Sequence, residues 1–358
     1  MADNRVIEAD KCFCLGGRVV SAEAISGGHI NKTYKLTAEN GSEYLLQRIN
    51  DYVFRDIDGL MSNISAVTEH IRKYDSDARH SLTIVKTKSG KLFERDEQGG
   101  CWRVFRFIQG GICLEKPRCP DDLFEGAAAF GRFQRQMADF HADTLSVTIP
   151  DFHNTPLRFK ALKAAVKADE FSRLRNVSAE LDFIYGCEEL AAKIAHMGKR
   201  GEIPLRVTHN DTKLSNVMLD EKTGRALCVL DLDTVMPGYS VFDYGDAVRA
   251  GASTQGELAA DASKARISRS MFEALTDGYL SECGEKLTRA ELESLPLGAF
   301  TMSVELGARF LTDYLSGDRY FCADYPAQNL DRCRTQLALA ADIRKHMDEM
   351  RAYILSER

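Results

Sequence analysis

The segment Val207-Thr208-His209-Asn210-Asp211-Thr212-Lys213-Leu214-Ser215-Asn216-Val217-Met218-Leu219-Asp220 holds the densest group of chemically useful side chains in the sequence. Fifteen residues beyond Asn216 comes Val229-Leu230-Asp231-Leu232-Asp233. The order is H-x-D-x-x-x-x-N, a strand-like run, then an aspartate emerging from apolar neighbours. Phosphoryl transfer needs such a set, because positioning and charge neutralisation supply most of its catalysis. Asp211 can orient an acceptor hydroxyl and take its proton. Asn216 offers an amide oxygen and Asp231 a carboxylate, hard donors suited to Mg²⁺. Lys213 can reach the transferred phosphate as a point charge, and His209 fits a loop-bracing role. The plainer reading is a hairpin with polar turns, Asp211 and Asn216 acting as caps or Asx-turns. The shared offsets favour the chemical reading.

Other residues gain weight only beside that constellation. Ser26-Gly27-Gly28-His29 lies between two β-like runs, and paired glycines allow backbone N–H groups close to a phosphate. Alone, Gly27-Gly28 reads as a hairpin turn and His29 as a surface residue. A kinase-like sheet expects a lysine on its third strand. Here Tyr44-Leu45-Leu46-Gln47-Arg48-Ile49 places Gln47 there, with Arg48 pointing to the opposite face. Glu69 reads as an ordinary solvated helix residue. Asp243 and Asp246, in Phe242-Asp243-Tyr244-Gly245-Asp246, read as buried carboxylates holding the catalytic loop through backbone N–H groups. Around Arg309 and Tyr320 the spacing indicates a helix that Gly317 ends.

These residues need a scaffold. Val19–Ile25, Thr33–Leu36, Glu43–Ile49, Leu82–Thr87, Leu92–Glu94 and Cys101–Ile108 read as strands, with a helix over Ile57–Lys73. Apolar side chains from Leu123 to Phe140, and again from Leu330 to Ile354, recur at helical spacing. A β-like island over Leu205–Asp233 interrupts this helical half. The expectation is an α+β fold: a β-rich lobe over 1–108 and a mainly helical lobe over 109–358, with a ligand cleft between them.

Composition agrees with a globular enzyme. The 358 residues are 44% hydrophobic and 28% charged, which excludes a disordered or low-complexity chain. A net charge of −6 argues against nucleic acid as the main partner. No run approaches a membrane span. The ten cysteines form no C-x-x-C pair, and MADNRVIEADKC does not read as a secretion signal, so reduced thiols and a cytoplasmic location are expected.

The blocks GGHINKTY, YLLQRIN, LRVTHNDTKLSNVMLD, LDLDTVMPG, FDYGDAVR and RFLTDYLSGDRYF resemble the aminoglycoside phosphotransferase and choline kinase superfamily, and within it the N-acetylhexosamine 1-kinases. The likeness runs nearly end to end. It implies a two-lobed protein-kinase-like fold and ATP/Mg²⁺-dependent transfer of the γ-phosphoryl to the anomeric hydroxyl of GlcNAc or GalNAc. By resemblance Asp211 is the base, Asn216 and Asp231 are metal ligands, and Asp233 is a further metal or sugar contact. His29, Arg309 and Tyr320 contact the sugar. Gly27, Gly28 and Arg48 approach the nucleotide, with adenine held near Phe107–Gln109. The Gln47-Arg48 pair matches the form these sugar kinases carry. Competing readings are a kinase of another hydroxyl acceptor (another hexose, homoserine, methylthioribose, choline or an aminoglycoside) and a nucleotide-binding pseudokinase. The single tryptophan, Trp102, lies in the strand leading to the lobe junction, which argues against a choline cage. Oligomeric state is not legible.

Overall fold

Alternation in the first hundred residues becomes an antiparallel sheet. The protein is described here by a computed structural model covering residues 8–25, 31–257 and 261–356. Strands β1 (Val19–Ile25), β2 (Lys32–Ala38), β3 (Glu43–Ile49), β4 (Ile84–Val85), β5 (Glu94–Arg95) and β6 (Cys101–Arg106) lie in the order β1-β2-β3-β6-β4, with β5 also paired to β6. Helix α1 (Ile57–Ile71) begins where the Asp56 carboxylate accepts the Gly59 N–H at 2.9 Å. The expected strand over Leu82–Thr87 shrinks to Ile84–Val85, and Thr87 forms a separate bridge to Phe13.

The pleat sorts β3 and β6 into two faces. Tyr44, Leu46, Trp102 and Val104 pack with Ala9, Phe13 and Leu36. Leu45, Ile49, Cys101 and Phe105 pack with Ile57, Leu60 and Met61 of α1. The second face also carries Gln47 and Arg103, directly opposite each other in the register. It is the face that looks into the molecule.

The chain then changes character. After β7 (Gly111–Cys113) come α2 (Pro120–Gln136), α3 (Thr155–Ala168), α4 (Ser178–Gly186) and α5 (Glu188–Lys199). Four short strands follow: β8 (Arg206–Thr208), β9 (Val217–Asp220), β10 (Ala226–Val229) and β11 (Met236–Gly238). β9 pairs with both β10 and β7, and β8 pairs with β11. Helices α6 (Ser240–Gly251), α7 (Arg269–Cys283), α8 (Arg289–Leu315) and α9 (Gln328–Ser356) complete the fold. A capping box between Thr288 and Glu291 starts α8. Its interior crosses α6 so closely that a Cβ on Gly245 would lie 2.4 Å from the Gly298 carbonyl carbon, so both positions need glycine.

The result is an α+β protein with a β-rich N-terminal sheet and a helical C-terminal region. No cysteine among the described residues is in a disulfide. Among the described residues no helix is long and apolar enough to cross a membrane.

Candidate active site

Strand β8 delivers the chain to the loop holding Asp211, and buried side chains fix its path. The Asp243 carboxylate accepts the N–H groups of His209 and Asn210, both at 2.8 Å, while Gln134 donates to it at 3.1 Å. Burial pushes the Asp243 carboxyl above its ordinary range, and the backbone donors at His209 and Asn210 oppose that shift. Asp246 accepts the Thr212 N–H at 3.1 Å and is paired with Arg249. His209 is fully buried, with Nε2 2.8 Å from the Leu230 carbonyl and Nδ1 receiving the Asp211 N–H at 3.3 Å. Those partners describe a neutral ring that donates through Nε2. Phe130 and Phe133 meet it edge-on. Asn210 takes a left-handed conformation, φ 66°, and its amide donates to the Thr234 carbonyl.

This frame turns Asp211 outward, half-exposed. The Asn216 amide donates 2.8 Å bonds to the Asp211 carboxylate and to its carbonyl, which leaves Oδ1 of Asn216 as an oxygen ligand. Lys213 Nζ stands 3.0 Å from the same carboxylate. Burial works against the lysine charge, but Asp211, then Asp231 and Asp246, outweigh it, and the net shift is upward. Lys213 is therefore cationic at neutral pH.

Asn216 and Asp231 sit at the open end of the β9–β10 hairpin. Val217 faces Val229 in the register, and the Leu230 N–H reaches the Asn216 carbonyl at 2.8 Å. Asp231 has φ 51° and is exposed, so its carboxylate is open to a ligand and does not fill core. Crowding by protein atoms, then repulsion from Asp233 and Asp211, pushes its carboxyl up to about 6. An amide oxygen and a carboxylate whose charge Arg103 and His209 offset only in part are donors that fit Mg²⁺. Among the described residues no three His, Cys, Asp or Glu side chains form a complete cage.

Asp233 has other partners than the metal or sugar expected for it. It is 2% exposed, and both its oxygens are engaged. Arg103 binds it in a bidentate fork, Nη2 to Oδ2 at 2.9 Å, and Asn31 donates to Oδ2 at 2.7 Å. Gln47 in turn accepts from Arg103 Nε at 3.0 Å. The place of the usual strand lysine is thus held by a glutamine that aims an arginine from the neighbouring strand. Met61 packs under that guanidinium, and Glu69 is exposed and accepts a hydrogen bond from Ser65.

A match to the family described as "Phosphotransferase enzyme family" runs over residues 21–275. The chain belongs to that family. The phosphotransferase is also similar in fold to solved structures of low identity. They include a microcompartment-associated aminopropanol kinase (16% identity, 97% of this chain and 98% of that one, TM-score 0.65). A second is an amicoumacin kinase in complex with AMP-PNP and Ca²⁺ (12%, 94% and 93%, 0.61). A third is an ethanolamine kinase from Plasmodium vivax (14%, 92% and 82%, 0.57).

The remaining expected residues of this phosphotransferase fall in separate places. Gly27, Gly28 and His29 lie outside the described residues. Arg48 is opposite Trp102 on the far face of the sheet, its Nε close to Gly100. Phe107 lies under the Lys35 ammonium at 4.5 Å, and its N–H is bonded to the Glu43 carbonyl. Gln109 donates to the Glu43 carboxylate at 3.1 Å. Arg309 and Tyr320 do come together, the guanidinium 5.9 Å from a ring that is 68% exposed. Spacing gives no hint of what presents Tyr320. Gly317 (φ 88°) ends α8 as expected, and buried Asp313 accepts the N–H groups of Arg319, Tyr320 and Phe321 at 2.9–3.0 Å.

Proposed function

We propose that this phosphotransferase transfers the γ-phosphoryl of ATP to the anomeric 1-hydroxyl of an N-acetylhexosamine, giving the sugar 1-phosphate. The observation that carries the phosphoryl-transfer part is the Asp211 carboxylate, held by Asn216 and Lys213 beside the Asn216–Asp231 hairpin end. The acceptor part is supported by the resemblance in the sequence blocks and by Arg309 meeting Tyr320 on one surface.

In this reading Asp211 accepts a hydrogen bond from the attacking hydroxyl, orients it for in-line attack, and takes its proton. Lys213 offsets charge on the phosphoryl oxygens while pinning the Asp211 rotamer. Asn216 and Asp231 would hold Mg²⁺, whose contribution is to neutralise the phosphate oxygens. Asp243 and Asp246 keep the loop from relaxing, so the base is preorganised. No covalent enzyme intermediate is required. We assign 1–108 to the nucleotide side and 109–358 to the acceptor side.

The test is ADP release with ATP and Mg²⁺ across GlcNAc, GalNAc, glucose, galactose, homoserine, choline and an aminoglycoside. Phosphorus NMR of the product and an Asp211→Asn blank accompany it. Selective turnover of an N-acetylhexosamine to its 1-phosphate is expected. Turnover of another acceptor alone removes the sugar assignment, and ATP binding without any turnover removes the kinase.

A further inference from the structure

Helices α3 and α8 run side by side in the same direction. At the start of α3 Thr155 Oγ1 donates to Glu305, and beyond its end Arg173 donates to the Tyr314 carbonyl and pairs with Asp318, just past α8. Arg158 is three residues past Thr155, and Arg309 four past Glu305. Each therefore lies about one turn beyond the shared tie, on the same side of its helix. The tie itself is anchored to the catalytic loop: His153 bridges Glu305, at 3.2 Å, and the Asn210 carbonyl, at 3.3 Å, next to Asp211.

The charges here are unbalanced. Glu305 is the buried carboxylate of this region, and His153 and Thr155 occupy its oxygens. Asp151 is exposed and bonded to Asn154. Arg158 Nη2 donates to the carbonyls of Asp151 and Phe152, while its buried Nε has no partner among the described residues. Arg309 makes no ion pair among the described residues, resting only over the Tyr320 and Phe321 rings. Burial, then the Arg309 charge, pulls the Arg158 pKa down, and Glu305, Tyr320 and Asp151 offset only part of that shift. Such a pair has fork-shaped donors suited to carbonyl, carboxylate or phosphate oxygens, and it repels ammonium groups.

We propose that Arg158 joins Arg309 in a paired-guanidinium subsite that takes an oxygen-bearing, non-cationic substituent of the acceptor and rejects an amine at the same place. In the proposed substrate, on whose assignment this inference rests, that substituent is the acetamido carbonyl.

The experiment compares kcat/KM for N-acetylglucosamine and glucosamine, identical but for acetamido against ammonium. It uses the wild type, Arg158→Met and Arg158→Lys, with ATP KM and melting temperature as controls. The wild type should prefer the acetylated sugar by about thirtyfold or more, and Arg158→Met should cut that ratio about tenfold, mainly through acceptor KM. Arg158→Lys should keep rejecting glucosamine yet bind N-acetylglucosamine more weakly, and it carries the test if the Met variant melts early. An unchanged ratio in both well-folded variants overturns the subsite and leaves the kinase reading standing. Wild-type preference for amine-bearing acceptors, glucosamine or ethanolamine, overturns it as well. If the enzyme uses a different amine-free acceptor, the N-acetylhexosamine assignment falls. The subsite is then judged by the same ratio for that acceptor and its amine analogue.

Discussion

Two aspartates twenty residues apart have surroundings that assign them different work. Asp211 has a cation and an amide on its carboxylate and stays partly exposed, as a proton acceptor must. Asp211→Asn keeps the size and loses the base, so kcat should fall about a thousandfold while ATP affinity stays within about threefold. Unchanged turnover in a variant that still binds ATP would refute the role. Asp231 is the reverse case: the protein alone disfavours its charge, raising its carboxyl to about 6 from an ordinary 3.8. A raised folded pKa contributes stability that is complete below the unfolded value and lost as pH rises through the folded one. In chelator at about pH 7.5 the ionised group is therefore a liability, and Asp231→Asn should melt higher. The gain is about 1 kcal/mol or about 2 °C, discounted because the side chain keeps accessible surface. It should vanish by about pH 4, and added Mg²⁺ should stabilise the wild type more than the variant. A variant that melts lower than wild type at about pH 7.5 would contradict this account of the site.

At the level of elements, a buried ion pair ties β6 to the segment after β10. Arg103 is 2% exposed and its partner equally buried, so removing one charge strands the other. Arg103→Met should cost about 3–5 kcal/mol in urea unfolding, and adding Asp233→Leu should recover part of that loss. Additive losses in the double variant would mean the two residues act separately. Sequence reading located β3 to the residue, because its alternation is strong and turns flank it, and it found that Gln47 replaces a lysine. It did not find Arg103, since an arginine in an alternating strand looks like any solvated strand residue until the register sets it opposite Gln47. Asp243 was legible as a loop anchor because its position left few roles other than accepting backbone N–H groups. Asp313 and Arg158 were not, because their partners lie across helix packing that no local spacing encodes. The expected strands near residues 82–94 came out short for a related reason: propensity marks a run as extended, while pairing depends on which neighbour is within reach.

Across the whole molecule the two lobes are less separate than a boundary near residue 108 implies. One apolar cluster holds Ile49, Ile57, Leu60 and Phe105 from the N-terminal side together with Phe133, Met137, Val207, Leu232 and Val235 from the C-terminal side. Polar ties run through the same floor. Asn63 of α1 donates to the carbonyls of Ser146, at 2.8 Å, and Val235, at 3.0 Å, beside the Arg103–Asp233 and Asn31–Asp233 bonds. The inner face of the sheet therefore has its apolar partner in the other lobe. A fragment of residues 1–108 would expose Phe105, Ile49 and the buried Arg103 charge together, and burial of that surface is what drives folding. The full chain should accordingly unfold in one calorimetric transition, and the 1–108 fragment should show none. Two resolved transitions in the intact protein, or a cooperative melt of the fragment, would mean the lobes fold independently. The shared floor also bears on catalysis. Because Asp233 lies two residues from Asp231, any loosening of the lobe contact is transmitted to the hairpin end proposed to hold the cation. Weakening the tie with Asn63→Ala should therefore raise the Mg²⁺ concentration needed for half-maximal activity, by about threefold or more, with little change in acceptor KM. A change confined to acceptor KM would place the coupling elsewhere.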